Sequence, residues 1–325
     1  MQNFEYTWQT AAIIRESADA VTIVFDTKAR EFSYKAGQFL NIKCVIDGSA
    51  VSRSYSLCSA PGVDDRTAIT VKRVEGGLMS AFICDYAEQI SEWRVDGPHG
   101  LFHPNEGVVS SEDVVFVAGG SGITPVFSII KYLLNHTAAR LTLVYSNRTP
   151  EETIYRHALL SLQEQYSERL NICFVFTKAD ASIQLLDGDF LRGRITPLIL
   201  KKLLKKSNIP LDRPVHYYLC GPEGLITMAE KTLSGLGVDG QFVHKEYFTP
   251  PTNDDKNVSL PDTTLEVLIQ LYEQTNLLEI NPGKTILEAA LEDRMAVPNS
   301  CRSGTCGMCV AKLVSGTVHM RQNFA

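Results

Sequence analysis

The sequence predicts a multidomain chain: an antiparallel β-barrel, an α/β domain on a parallel sheet, and a small α+β domain. Three observations predict it. Short strand-like runs separated by glycine turns fill residues 1–105. From residue 112 onward, long apolar runs alternate with helical segments. After a polar, proline-rich stretch at 249–262 the pattern starts again, and it holds a loop of three cysteines within 301–309.

Composition bounds the reading before any motif does. At 325 residues, 44% hydrophobic and 21% charged, the chain is long enough for two or three domains with proper cores. A net charge of −6 gives no reason to expect nucleic acid or an anionic membrane as partner. No apolar run reaches the roughly 20 residues that span a bilayer. The first ten residues, MQNFEYTWQT, do not read as a signal peptide, because no basic region precedes an apolar core. Eight cysteines in such a chain argue for ligation, catalysis or burial rather than a disulfide framework. A reducing cytoplasm is the expected location.

The first domain is expected over 1–105, with strands at 5–15, 19–26, 38–46, 51–57, 67–74 and 92–97. Closely spaced strands punctuated by Gly37, Gly48, Gly62 and the pair Gly76-Gly77 suit a barrel or sandwich. One helix, starting near Leu78, interrupts them. The second domain is expected over 106–248. Its strands are DVVFVA (113–118), LTLVYS (141–146), NICFVF (171–176) and VHYYLC (215–220). Helices are expected at 125–135, 150–164, 196–206 and 223–236. Buried strands alternating with helices mean a parallel sheet with right-handed crossovers. The stretch 249–262 reads as a linker. The third domain, 263–325, is expected to hold strands at 264–272, 276–280 and 309–314 and a helix at 286–293.

The motifs sit at the joints of this pattern. RSYS at 53–56 offers an arginine for phosphate, a tyrosine ring for a planar heterocycle and serines for its edge; a surface arginine beside a core tyrosine would give the same letters. GGLMS at 76–80 starts a helix, where backbone N–H groups and the helix dipole favour an anion. A hairpin glycine pair with a serine cap is the plainer reading. GGSGITP at 119–125 follows a buried strand and opens a helix, the setting of a dinucleotide pyrophosphate loop, although it is not GxGxxG. CGPEG at 220–224 lies at another strand end, so Cys220 can face a ligand or be buried. At the end of the second sheet strand, Ser146, Asn147 and Arg148, with Arg156 further on, offer bases and no acid to a ribose. That favours NADPH over NADH. Cys301, Cys306 and Cys309 have the C-x4-C-x2-C spacing of plant-type [2Fe–2S] sites, with Gly304 and Gly307 between them to let the chain curl.

Taken in order, these motifs resemble the ferredoxin–NADP reductase superfamily, in the branch with a plant-type ferredoxin domain at the C-terminus. The chain is similar to reductase components of bacterial oxygenases, such as those serving phenylacetyl-CoA epoxidase and ketosteroid hydroxylase, and more distantly to hybrid-cluster-protein reductase. The resemblance covers nearly the whole chain. It implies an FAD-binding barrel, an NAD(P)-binding α/β domain and a ferredoxin-like (β-grasp) domain. Arg53, Ser54, Tyr55 and Ser56, with the backbone around Gly77, Leu78, Met79 and Ser80, would bind FAD. Gly119, Gly120, Ser121, Gly122 and Thr124 would hold the dinucleotide pyrophosphate, and Ser146, Arg148 and Arg156 its adenosine end. Cys220, Gly221 and Pro222 would position the nicotinamide. Glu246, Tyr247 and Phe248 resemble the acid-and-aromatic end of the reductase module, so Cys220 and Glu246 are the expected catalytic pair.

The resemblance also implies the chemistry. Hydride passes from NAD(P)H to FAD, and the flavin passes electrons singly to the [2Fe–2S] cluster held by Cys301, Cys306 and Cys309. The cluster then reduces a protein partner, expected to be an oxygenase component. The family supplies a fourth cysteine further on, whereas this sequence ends at Ala325 with none after Cys309. The third domain is therefore expected to be a truncated piece of a longer protein. Two rivals stay open: a flavin reductase or diaphorase with a vestigial cluster domain, separated by iron content, and a flavin redox-sensing module without turnover, separated by steady NAD(P)H oxidation.

Overall fold

The computed structural model describes residues 5–27, 32–178, 190–248, 261–272, 274–299, 304 and 309–320. They divide into two compact units, Met1–Thr249 and Pro250–Ala325.

In the first unit, β1 (Glu5–Ser17), β2 (Ala20–Asp26), β3 (Phe39–Ile46), β4 (Ser49–Ser56), β5 (Ala68–Lys72) and β6 (Glu92–His99) share one sheet in the order β4-β3-β6-β1-β2-β5. Every pairing in it is antiparallel. Asp47 and Gly48 both take positive φ between β3 and β4, the requirement of a tight two-residue hairpin. A bridge between Leu57 and Ile69, with the Cys58 N–H donating to Ala68 O at 2.9 Å, ties the outer strands together. The sheet thus closes into a barrel around Trp8, Val21, Ile23, Phe25, Leu40, Ile42 and Trp93. Helix α1 (Leu78–Tyr86) packs Met79 and Ile83 into the same core.

Strand β2 does not alternate in burial. Val21, Ile23 and Phe25 face the barrel interior, whereas Ala20 and Val24 pack into the core of the next domain. That shared face is why barrel and nucleotide domain form one unit.

The second sheet contains β7 (Asp113–Gly119), β8 (Arg140–Asn147), β9 (Leu170–Phe176), β10 (Phe190–Arg192), β11 (His216–Cys220) and β12 (Val243–Glu246). All are parallel, in the order β10-β9-β8-β7-β11-β12. Helices α2 (Glu106–Val109), α3 (Ile123–His136), α4 (Arg156–Gln165), α5 (Pro197–Lys206) and α6 (Glu223–Ser234) complete the domain. Every residue of β7 is buried, as a central strand covered on both faces must be. The chain steps from β7 through β8 and β9 to β10, then returns to the other side of β7 for β11 and β12. The order reverses at β7 and β11, so a crevice opens beyond their carboxyl ends.

Three details differ from the sequence expectation. The helix placed over 150–164 begins only at Arg156, because Tyr155 is left-handed (φ 59°) and the residues before it form turns. Strands β10 and β12 were not anticipated, being short, partly exposed and without alternation. The strand expected over 309–314 does not form: Val310 and Val314 are 74% and 89% exposed, and β-propensity alone does not hold an unpaired strand.

In the second unit, β13 (Leu265–Leu271) and β14 (Gln274–Ile280) form an antiparallel pair. Thr285 and Glu288 build a capping box on α7 (Ile286–Glu292), which buries Ala289 and Ala290 against Leu278 and Ile280.

Candidate functional site

The crevice is built by two glycine turns that touch backbone to backbone. A Cβ on Gly122 would lie 2.2 Å from Cys220 O, and one on Gly221 2.8 Å from Gly119 N. A Cβ on Gly119 would meet Leu225 and Pro222, both at 2.8 Å. These three glycines are therefore dictated by the close approach of the β7 and β11 turns. Gly120 is different. It has φ +53° and nothing within 4 Å of an added Cβ, so its backbone faces open space where α3 begins. The Thr124 hydroxyl is buried and donates to Ser121 O at 2.9 Å, which fixes the turn.

Register brings the predicted catalytic residues together. Cys220 ends β11 beside Ala118 of β7 and Glu246 of β12. Ser56, the last residue of β4 in the barrel, donates from its hydroxyl to Glu246 Oε2 at 3.4 Å, across 190 residues of sequence. Burial pushes the Glu246 carboxyl up to about 8, against a small opposing effect of the Ser56 hydrogen bond. Burial also pushes the Cys220 thiol well up, and the neighbouring Glu246 charge adds to it. A carboxyl that titrates near neutrality thus meets a hydroxyl from the barrel, and the Cys220 thiol beside it on β11 is neutral and fully buried. Tyr247 is buried behind them and Phe248 is 48% exposed.

Period two on β4 puts Arg53 and Tyr55 on one face and Ser54 and Ser56 on the other. Arg53 is exposed and donates to Ser52 O at 2.8 Å. Tyr55 is half-buried against the barrel core, and its phenol is raised by burial. The Ser54 hydroxyl donates to Asn41 Oδ1 at 2.9 Å. At the start of α1, Ser80 folds back: its hydroxyl accepts from Val74 N–H at 3.1 Å and donates to Gly77 O at 3.3 Å. Gly77 permits this, since a Cβ there would lie 2.6 Å from Ser80 Oγ. The first N–H to reach back within the helix is that of Ala81, to Gly77 O. Those of Leu78, Met79 and Ser80 stand ahead of it as helix-start donors. An arginine, an aromatic face and these N–H groups fit a flavin with its pyrophosphate, and the open Gly120 turn fits a second pyrophosphate.

Ser146 is half-buried and Arg148 exposed at the carboxyl end of β8, and Arg156 opens α4. Cys301 and Cys306 lie outside the described residues. Cys309 is half-buried, and Gly304 has φ +74°. Among the described residues no helix is long and apolar enough to cross a membrane.

Fold and site together define a flavin-dependent, pyridine-nucleotide oxidoreductase with an iron–sulfur domain. Residues 9–103 match the family described as Oxidoreductase FAD-binding domain, 116–231 Oxidoreductase NAD-binding domain, and 269–325 2Fe-2S iron-sulfur cluster binding domain. A component of the 1,2-phenylacetyl-CoA epoxidase of Escherichia coli is 30% identical over 97% of this chain and 88% of its own. The ferredoxin reductase component of 3-ketosteroid-9-alpha-monooxygenase from Mycobacterium tuberculosis is 32% identical over 97% and 87%. The chain belongs to the ferredoxin–NADP reductase superfamily, in the branch with a C-terminal plant-type [2Fe–2S] domain. The fold agrees: phthalate dioxygenase reductase superposes with TM-score 0.63 at 24% identity, covering 95% of this chain and 85% of its own. The FAD/NAD-binding domain of Vibrio cholerae nitric oxide dioxygenase superposes with TM-score 0.65 at 24% identity, covering 75% of this chain and 99% of its own.

Sequence reasoning missed Glu16, Thr22 and Thr70, which link the barrel to Tyr155 of the 145–156 stretch. None belongs to a motif, and only the fold brings them together.

Proposed function

We propose that this chain takes reducing equivalents from NADPH in preference to NADH and delivers them one at a time to an oxygenase component in the cytoplasm. The observation that carries the reading is the meeting of Ser56, Glu246 and Cys220 at the reversal point of the parallel sheet, in a chain that also matches a [2Fe–2S] domain. When bound, the flavin supplies the step from hydride to single electrons and the cluster a one-electron carrier.

The chain's own residues bind, orient and hold a proton. Arg53 and the N–H groups of Leu78, Met79 and Ser80 would hold the flavin pyrophosphate, and Tyr55 would offer its ring to the flavin. Gly119, Gly120, Ser121, Gly122 and Thr124 shape the dinucleotide pyrophosphate turn. Arg148 and Arg156, with Ser146, take the adenosine end. Gly221 and Pro222 leave room for the nicotinamide. Cys220 is fully buried and uncharged at the end of β11, and Glu246 holds a proton in reach of Ser56. Cys301, Cys306 and Cys309 would supply three of the cluster's ligands. The working domains are 1–105, 106–248 and 263–325, with 249–262 as linker.

The test is flavin and iron analysis of the purified protein, with the visible spectrum before and after NADPH or NADH. Flavin with iron, both bleached faster by NADPH, supports the reading. Flavin without iron reduces the function to that of a flavin reductase. Arg148→Ala is expected to lower the kcat/KM ratio of NADPH over NADH about tenfold, the value of a charge-assisted phosphate contact; an unchanged ratio refutes the NADPH preference.

A further inference from the structure

Tyr155, in the β8–α4 loop, is held from two sides. It is buried, stacks on Phe127 of α3 with ring centroids 4.3 Å apart, and takes a left-handed backbone that a bulky residue rarely adopts. Its hydroxyl donates across the domain boundary to Thr70 Oγ1 of barrel strand β5. Thr70 meets Thr22 Oγ1 of β2 at 2.6 Å, and Thr22 donates to Glu16 Oε1 of β1 at 2.6 Å.

Each hydroxyl has one proton, so the direction of the chain is set. Tyr155 donates to Thr70, Thr70 to Thr22, and Thr22 to Glu16, with Cys58 Sγ at 3.4 Å an alternative acceptor for Thr70. Near the end of β8, which leads into this loop, the Tyr145 hydroxyl donates to Gly120 O at 3.0 Å in the glycine turn. The loop carrying Arg148 and Arg156 is thereby referenced to the barrel on one side and to the pyrophosphate turn on the other.

We infer that Tyr155, acting through Glu16, Thr22 and Thr70, is a positioning residue that presets the adenosine-binding loop of the dinucleotide site relative to the flavin barrel. The inference rests on the proposed placement of the adenosine end at Arg148 and Arg156. A loop ordered in advance binds without losing the fraction of molecules in other conformations.

The test compares Tyr155→Phe, Glu16→Ala and Glu16→Gln in the full chain. Calorimetry measures the Kd of 2′-phospho-ADP-ribose, and turnover with ferricyanide gives kcat/KM for NADPH and for reduced nicotinamide mononucleotide, which has no adenosine end. For Tyr155→Phe and Glu16→Ala, Kd is expected to rise about tenfold and the NADPH-over-mononucleotide ratio to fall by the same factor, as loss of one buried hydrogen bond warrants. Glu16→Gln keeps an acceptor for the Thr22 hydroxyl and is expected to retain most of the ratio. An unchanged Kd, or an equal fall with both donors, overturns the inference. If Arg148→Ala weakens 2′-phospho-ADP-ribose and Tyr155→Phe does not, the adenosine site stands and the positioning role of Tyr155 falls. If neither does, both fall.

Discussion

The carboxyl of Glu246 gives the sharpest handle on the crevice. Burial raises it from 4.5 to about 8, so folding favours its neutral form. Below the unfolded value, both states are protonated and nothing is lost. As pH rises from there through about 8, the unfolded chain gives up the proton first and the folded state is progressively penalised. Between pH 6 and pH 9 that penalty grows by roughly 2–3 kcal/mol at 1.36 kcal/mol per pH unit. Glu246→Gln keeps the shape and the neutral state and removes the titration. Denaturant unfolding of both proteins at pH 6 and pH 9 isolates the difference, because every other group titrates in both. The wild type is expected to lose this extra stability at pH 9, and the Gln variant to keep it. Flavin reduction by NADPH is expected to fall through the same range only in the wild type, as the crevice loses its proton and gains a charge. Identical pH dependence of stability in the two proteins refutes a neutral Glu246.

Other perturbations separate packing from binding. Gly122→Ala drives a Cβ into Cys220 O and is expected to destabilise by about 3 kcal/mol or more, whereas Gly120→Ala has open space and meets only the left-handed backbone, about 1 kcal/mol; chemical denaturation of the pair checks the contrast, and equal losses contradict it. Cys220 is fully buried with a raised thiol, so iodoacetamide is expected to label it at least about 100-fold more slowly in the native protein than in urea, read by peptide mass spectrometry. Asp113, 3% exposed, is bonded by Arg140 and Arg213, whose side chains are 56% and 35% exposed, so Asp113→Leu leaves both arginines in water and is expected to cost no more than about 1 kcal/mol, while NADPH affinity at the other end of the sheet stays unchanged in a fluorescence titration.

Much of the fold was legible because each domain announces a period. The alternation of apolar and polar residues with glycine turns marked the barrel strands to within a few residues, and β7 and β9 read as buried runs because both their faces are covered. The closure of the barrel was not legible. It rests on Leu57 meeting Ile69 outside any regular strand, which no period encodes. Strand β12, with VHKE half-buried throughout, carries neither an apolar run nor alternation, yet it places Glu246.

The glycines show the other boundary of sequence reading. Gly119, Gly122 and Gly221 were read as a ligand cradle, and their motif did locate the crevice. Their physical reason is that two turns must touch before there is a crevice at all, and Gly120 alone among the four faces open space. A glycine-rich strand end therefore reports close backbone approach first and a ligand second. The same holds for chemistry shared between domains. Ser56 and Glu246 stand 190 residues apart and meet at 3.4 Å, and Tyr155 reaches the barrel through side chains that belong to no motif. Motifs locate each half of such a site, whereas the relation between the halves is fixed by a buried polar contact between them. Removing that contact changes the geometry of the site and leaves every recognisable motif intact.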